Sequence, residues 1–84
     1  MNINEKIQGV LNWFDTERFI EERDPEGIRL AAQEFNSMTN NDAKFNSIAQ
    51  FSFLLWRDLL NDIASAIEQG DDIEDLVKIF DAIR

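Results

Sequence analysis

The acidic segment 68–75 is the part of the sequence whose residue types and spacing come nearest to a chemical site. It reads EQGDDIED, with five carboxylates around one glycine and no basic residue. Clustered oxygen ligands near a glycine turn are typical of calcium-binding loops. The spacing does not fit such a loop, because starting at Asp71 places Ile73 at a ligand position and starting at Asp72 does the same with Leu76. The segment is therefore predicted to be a solvated turn whose carboxylates cap a helix.

Histidine and cysteine, the side chains most often used for catalysis and for zinc binding, are both absent from the sequence. The chain therefore has no imidazole base, no thiolate nucleophile and none of the usual zinc ligands. The Glu-x-x-His motifs of diiron bundles are also impossible, and the three glycines are too isolated to form a phosphate-binding loop. We expect a binding protein that is not an enzyme and uses no cofactor. A carboxylate-metal enzyme is the least favoured alternative.

Length and charge limit the number of domains and the kind of partner. A chain of 84 residues can form one hydrophobic core, and its hydrophobic content of 44% is sufficient to fill it. We therefore expect a single domain, residues 1–84. The net charge of −9 repels phosphate backbones and attracts basic proteins, so direct binding to nucleic acid is not expected. This charge exceeds the magnitude of about 2 to 8 that solubility requires, which favours an electrostatic role.

The sequence also bears on location. Glu5 and Lys6 stand where an export signal requires an apolar run. The longest uncharged segment, Phe45–Trp56, has 12 residues, whereas a membrane-spanning helix needs about 20. Since cysteine is absent as well, we expect a cytoplasmic protein that makes no membrane contact.

Apolar residues recur at the helical period through most of the chain, and no segment alternates as a strand does. The pattern predicts a helix at about 2–14, a kink or short turn at 16–23, a helix that begins at Pro25 with Asp24 as its cap, a polar loop at 39–42, a long helix at about 43–69, and a last helix that starts at Asp71 or Asp72 after a Gly70 cap. The predicted fold is all-α, a small compact four- to five-helix bundle with a long central helix.

The predicted buried face of the long helix is broad. It consists of Phe45, Ile48, Ala49, Leu55, Trp56, Leu59, Leu60, Ile63, Ala66 and Ile67. Trp56 lies at its centre and is predicted to be buried against the first or the last helix. Phe51 and Leu54 fall on the polar side instead. Either they are core residues, because a central helix is covered on two sides, or they anchor a partner; the central position favours the core.

The remaining candidate site residues are acidic. We define the acidic pole as Glu68, Asp71, Asp72, Glu74 and Asp75. Charges this near to one another fall within the screening length of about 8 to 10 Å, so the pole is predicted to act as one negative patch. Asp58 and Asp62 lie one helical turn apart and are predicted to extend it towards Leu54. An acidic rim beside the apolar Phe51 and Leu54 is the anatomy of a protein-binding surface.

Two functions are consistent with such a surface. In the first, the carboxylates occupy the cationic groove of a basic partner, a nuclease or another nucleic-acid-binding protein, in place of phosphates. In size, charge and helix content the chain is similar to toxin immunity proteins, antitoxins and phage-encoded anti-defence proteins such as anti-CRISPR proteins, although no motif identifies one of these families. The alternative is a helical homodimerisation or adaptor module whose seam contains Phe51, Leu54, Trp13 and Ile79.

Overall fold

The computed structural model describes residues 3–41 and 47–84, which form five helices and no strand. The helices are α1 (Ile3–Trp13), α2 (Thr16–Glu21), α3 (Pro25–Asn41), α4 (Ser47–Gln69) and α5 (Glu74–Ile83). α3 and α4 form the main pair, α1 and α2 pack on α3, and α5 packs on α4. The all-α prediction and the long central helix are confirmed; the predicted residues 43–46 of that helix lie outside the described residues.

The length of α4 determines the shape of the molecule. Its 23 residues span about 35 Å at 1.5 Å per residue, which is close to the longest of the overall dimensions, 38 × 21 × 20 Å. Among the described helices, none combines the length and the apolar character needed to cross a lipid bilayer.

The break between α1 and α2 lies where the hydrophobic pattern changes. Asp15 has a φ of 54°, a left-handed conformation that aspartate tolerates better than most residues. The chain turns there, and α2 then places Ile20 in the core and buries its first residue, Thr16. The predicted kink or short turn is therefore a separate helix of six residues.

The start of α3 follows the local signal that predicted it. Asp24 precedes Pro25, and its Oδ1 accepts a hydrogen bond of 3.3 Å from the backbone N–H of Gly27. This bond satisfies one of the N–H groups that a helix leaves unpaired at its start. The apolar stripe of α3 is buried throughout, and it consists of Ile28, Ala31, Ala32, Phe35 and Met38.

The end of α3 differs from the prediction. The polar residues 39–41 were expected in a loop because their side chains compete for backbone hydrogen bonds. Instead the helix continues through Asn41, and the hydroxyl of Thr39 donates back to the carbonyl of Phe35 at 3.1 Å. That bond leaves the helical hydrogen bonds in place, and Asp42, the last residue of the predicted loop, lies outside the described residues.

An aromatic cluster in the core joins α3, α4 and α5. Trp56 of α4 is 4% exposed. Its ring stacks on Phe35 of α3 with centroids 6.1 Å apart and meets the edge of Phe80 of α5 at 5.5 Å. Phe53 lies on the other side of Phe35, with centroids 6.3 Å apart. The predicted burial of Trp56 against the last helix is confirmed.

The buried face of α4 is narrower than predicted. Ile48 and Leu55, which were expected in the core, are exposed, whereas Phe53 and Ala64, which were not, are buried. The reason is that α3, the main partner of α4, packs on the side that carries Phe53 and brings Phe35 against its ring. No described helix lies over the side that carries Ile48 and Leu55.

Two backbone hydrogen bonds close the turn between α4 and α5. Gly70 has a φ of 76°; its N–H donates to the carbonyl of Ile67 at 3.1 Å, and the N–H of Asp71 donates to the carbonyl of Ala66 at 2.9 Å. This is the Schellman arrangement that the glycine predicted. The α5 helix begins at Glu74, later than predicted.

Candidate functional site

One side of α4 is left open by the rest of the described chain. We define the outer face of α4 as Ile48, Phe51, Leu55, Asp58 and Asp62. Its three apolar side chains are exposed by 76%, 62% and 52% in that order, and both aspartates are exposed. The spacing alternates between three and four residues, which is the repeat that lines up one seam of a helix for docking against another. The first half of the seam is therefore apolar and the second half acidic.

Phe51 and Leu54, the two apolar residues predicted for the site, have different environments. Phe51 points outward in the seam, so its interpretation as a core residue is wrong. Leu54 is half-buried beside it. The pattern missed Ile48 and Leu55, since both had been assigned to the core. Their heptad spacing with Phe51 is the signal that could have identified them.

The two aspartates of the outer face differ in their surroundings. Asp58 accepts hydrogen bonds from its neighbour Arg57, at 3.0 Å from Nε and 2.8 Å from Nη2. Arg57 also donates to Asn36 of α3, so it is held against the bundle. Asp62 forms no ion pair with another described residue. Its charge is the one on this face that no described cation neutralises.

The acidic pole is partly neutralised by the fold. Glu68 pairs with Arg29 of α3, which also donates to Ser65 at 3.1 Å and to Asn61 at 3.4 Å. Glu68 therefore connects α4 to α3 and is turned towards the bundle. The prediction of a single uniform patch overlooked this arginine, which lies far away in the sequence.

The other four residues of the acidic pole differ in role: one caps α5, one forms an ion pair, and two are exposed without one. The carboxylate of Asp72 accepts from the backbone N–H of Glu74 at 2.9 Å and so supports the start of α5. The carboxylate of Glu74 lies 3.4 Å from the ammonium of Lys78. Asp71 and Asp75 are exposed and form no ion pair with another described residue. In the part of the chain that the structure describes, no three carboxylates come together in a way that could hold a metal ion.

One ion pair, between Arg84 and Glu17, changes the pKa of its carboxylate, and it lies away from the outer face of α4. Arg84 donates to both carboxylate oxygens of Glu17, at 2.9 and 3.4 Å. This hydrogen bond, with the attraction between the charges, lowers the pKa of Glu17 below its ordinary value. The guanidinium also lies 5.4 Å from the centroid of the Phe80 ring. The pair therefore fastens the end of α5 to α2 and is a structural contact.

Comparison of the sequence with protein-family models gave no match, and comparisons with curated proteins and with solved structures gave no significant match.

Proposed function

We propose that this protein inhibits a basic, nucleic-acid-handling partner protein, such as a nuclease, by docking on it through the outer face of α4. The observation that carries the proposal is the heptad-spaced seam, apolar at Ile48, Phe51 and Leu55 and acidic at Asp58 and Asp62, which no described helix covers. Toxin immunity proteins and phage anti-defence proteins are the kinds of inhibitor that such a surface suits.

The apolar half of the seam supplies a reason to bind. Full burial of a large apolar side chain contributes about 1.5 to 3 kcal/mol. Phe51 is 62% exposed, and its two apolar neighbours are exposed by half or more. Most of that free energy is therefore still available to a partner. Aromatic side chains are also enriched among the residues that dominate binding energy, which makes Phe51 the expected centre of the contact.

The acidic half of the seam determines which kind of protein is attracted to it. Two copies of this chain, each with a net charge of −9, repel each other. A basic protein is attracted instead, and the attraction acts mainly on the rate of association. Because the apolar and acidic halves lie at opposite ends of one seam, they also determine the orientation in which a partner docks along α4. The complementary surface is a helix or groove with apolar residues at one end and lysine or arginine at the other.

Capture from cells of the source organism, followed by kinetics with the purified partner, tests the proposal. The first variant changes Phe51 and Leu55 to serine, and the matched control changes Leu30, which is 54% exposed on α3. We expect the double change to speed dissociation at least tenfold and the control to have little effect. Equal losses for both variants would contradict docking through α4.

A second variant isolates the charge. Asp62→Lys reverses a carboxylate that supports neither a cap nor an ion pair among the described residues. We expect an unchanged melting temperature, slower association and a weaker salt dependence of binding. The double change of Glu74 and Asp75 to lysine is expected to act in the same direction from the acidic pole. Full binding with an unaltered salt response in both variants would leave the carboxylates with a role in solubility alone.

A homodimer remains the second candidate, because three large apolar side chains share the outer face of α4. The seam proposed for it from the sequence joins Phe51 and Leu54 with Trp13 and Ile79, which belong to three different helices. The radius of gyration of the chain is 12.4 Å, whereas a compact dimer would reach roughly 15 Å. Small-angle scattering at several concentrations distinguishes the two. A dimer that the Phe51 and Leu55 changes convert into a folded monomer would favour this candidate.

A further inference from the structure

A groove runs between α1 and α3, away from the outer face of α4. Its volume is about 410 Å³, and its lining includes Val10 and Trp13 of α1, Phe14 directly after that helix, and Glu34 of α3. Trp13 is 83% exposed, more than any other large apolar residue described. An indole this accessible beside a concave surface offers a flat face to a ligand.

Gly9 forms part of the groove and has no evident role within the fold. Glycine inside a helix is unfavourable relative to alanine, because it loses more backbone freedom on folding. A Cβ added at Gly9 would meet nothing within 4 Å, so no packing constraint requires glycine there. Gly9 lies one helical turn before Trp13 and on the same side of α1. The missing side chain therefore leaves open space directly beside the indole.

The charged side chains of the groove favour a cation. Glu5 and Glu34 line it together with a single basic residue, Lys6. None of the three forms an ion pair with another described residue. The two carboxylates and the one ammonium give the groove a net charge of −1, on a chain whose overall charge is −9.

We propose that this groove binds an arginine side chain of a basic polypeptide. The guanidinium lies over the ring of Trp13 with Glu34 of α3 in the same lining, its aliphatic stem crosses Gly9, and Glu5, about 12 Å from Trp13 along α1, adds negative charge at the other end of the groove. Arginine suits these groups better than lysine, because its planar cation is weakly hydrated and stacks on aromatic faces. The groove is a second site, so it can bind arginine whether or not the outer face of α4 binds the proposed partner.

Three blocked tripeptides provide the probes: acetyl-Gly-Arg-Gly-amide and its lysine and norleucine counterparts. Each is titrated into the isotope-labelled protein while amide and indole resonances are followed by NMR. We expect the arginine peptide to shift the resonances of Gly9 and of the Trp13 indole and to bind more tightly than the other two. Equal binding of the norleucine peptide would show a merely apolar groove and would overturn the proposal. Shifts confined to the acidic pole would overturn it too.

Substitutions test the geometry. Trp13→Ser is expected to weaken the arginine peptide about two- to fivefold, the loss expected for an exposed cation–π contact. Gly9→Gln fills the groove, and Asn12→Gln, at an exposed position of α1 that does not line it, is the matched control. Lys6→Gln removes the competing cation and is expected to tighten binding. Unchanged binding in the Gly9 variant, or weaker binding in the Lys6 variant, would refute the placement of the guanidinium.

Discussion

Gly9 and Gly27 allow the same substitution to be made in two opposite environments. At Gly27 an added Cβ would lie 2.7 to 2.8 Å from three ring atoms of Phe19, including Cγ. Carbon atoms in good contact are about 3.5 to 4.0 Å apart, so the ring would have to move by roughly 0.8 Å or more. Because Cγ is close to the backbone of α2, this movement displaces the helix as well. At Gly9 nothing lies within 4 Å of the new atom.

The two alanine variants are therefore expected to change stability in opposite directions. Gly9→Ala gains about 0.8 to 1.0 kcal/mol of helix propensity with no steric cost. Gly27→Ala gains less, because it lies in the first turn of α3, and it meets an overpacking cost of about 1 to 3 kcal/mol. Three clashing atoms place that cost in the upper part of the range, which leaves a net loss of about 1 to 2 kcal/mol. In a domain of this size each kcal/mol moves the melting temperature by about 4 to 8 °C.

Thermal and urea unfolding followed by circular dichroism measures both variants. Phe19→Ala completes a double-mutant cycle with Gly27→Ala, since alanine lacks Cγ and both Cδ atoms and therefore removes the clash, which should give a coupling free energy of at least about 0.5 kcal/mol. If Gly27→Ala stabilised the protein as much as Gly9→Ala does, α2 could not lie against the start of α3 as described.

Three further expectations concern the core and the surface. Trp56→Ala should lower the free energy of unfolding by about 3 to 5 kcal/mol, and an unchanged urea midpoint would contradict its place in the aromatic cluster. Thr16→Val should raise the free energy of unfolding by about 1 kcal/mol or more, because the buried Thr16 hydroxyl has no hydrogen-bond partner among the described residues; a fall would show that the hydroxyl is paired. Arg84 lowers the pKa of Glu17, so the stability from that carboxylate is present above its ordinary value of 4.5 and is lost as pH falls through the lower folded value. Glu17→Gln should therefore make the melting temperature fall less steeply below that pH, and an equally steep fall would contradict the contact.

Signals that act over a few residues predicted the fold well. The start of α3 follows from Asp24 and Pro25, and the end of α4 follows from Gly70, because capping depends on the backbone of one turn. The end of α3 was predicted wrongly for a related reason. Thr39 either competes with the helix or bonds back to the preceding turn, and its residue type does not distinguish between them.

The covered side of α4 depends on where other helices dock, and periodicity within one helix does not contain that information. Ile48 and Leu55 therefore entered the predicted core, while Phe53 was left out of it. The same limit applies to the candidate site. Phe51 and Asp62 were recognised from their polar neighbours, whereas the ion pair between Glu68 and Arg29 joins residues 39 positions apart and has no local signature.

The ion pair between Arg84 and Glu17 has a consequence for the order in which the molecule comes apart. Most helices pack on helices near to them in the sequence, an arrangement that favours rapid folding. This contact is different, because it spans 67 positions. A contact between distant chain segments on the surface forms after the folding nucleus and breaks before the core opens. Removing the ion pair should increase fraying of α5. In a stopped-flow chevron it should raise the unfolding rates and leave the folding rates unchanged.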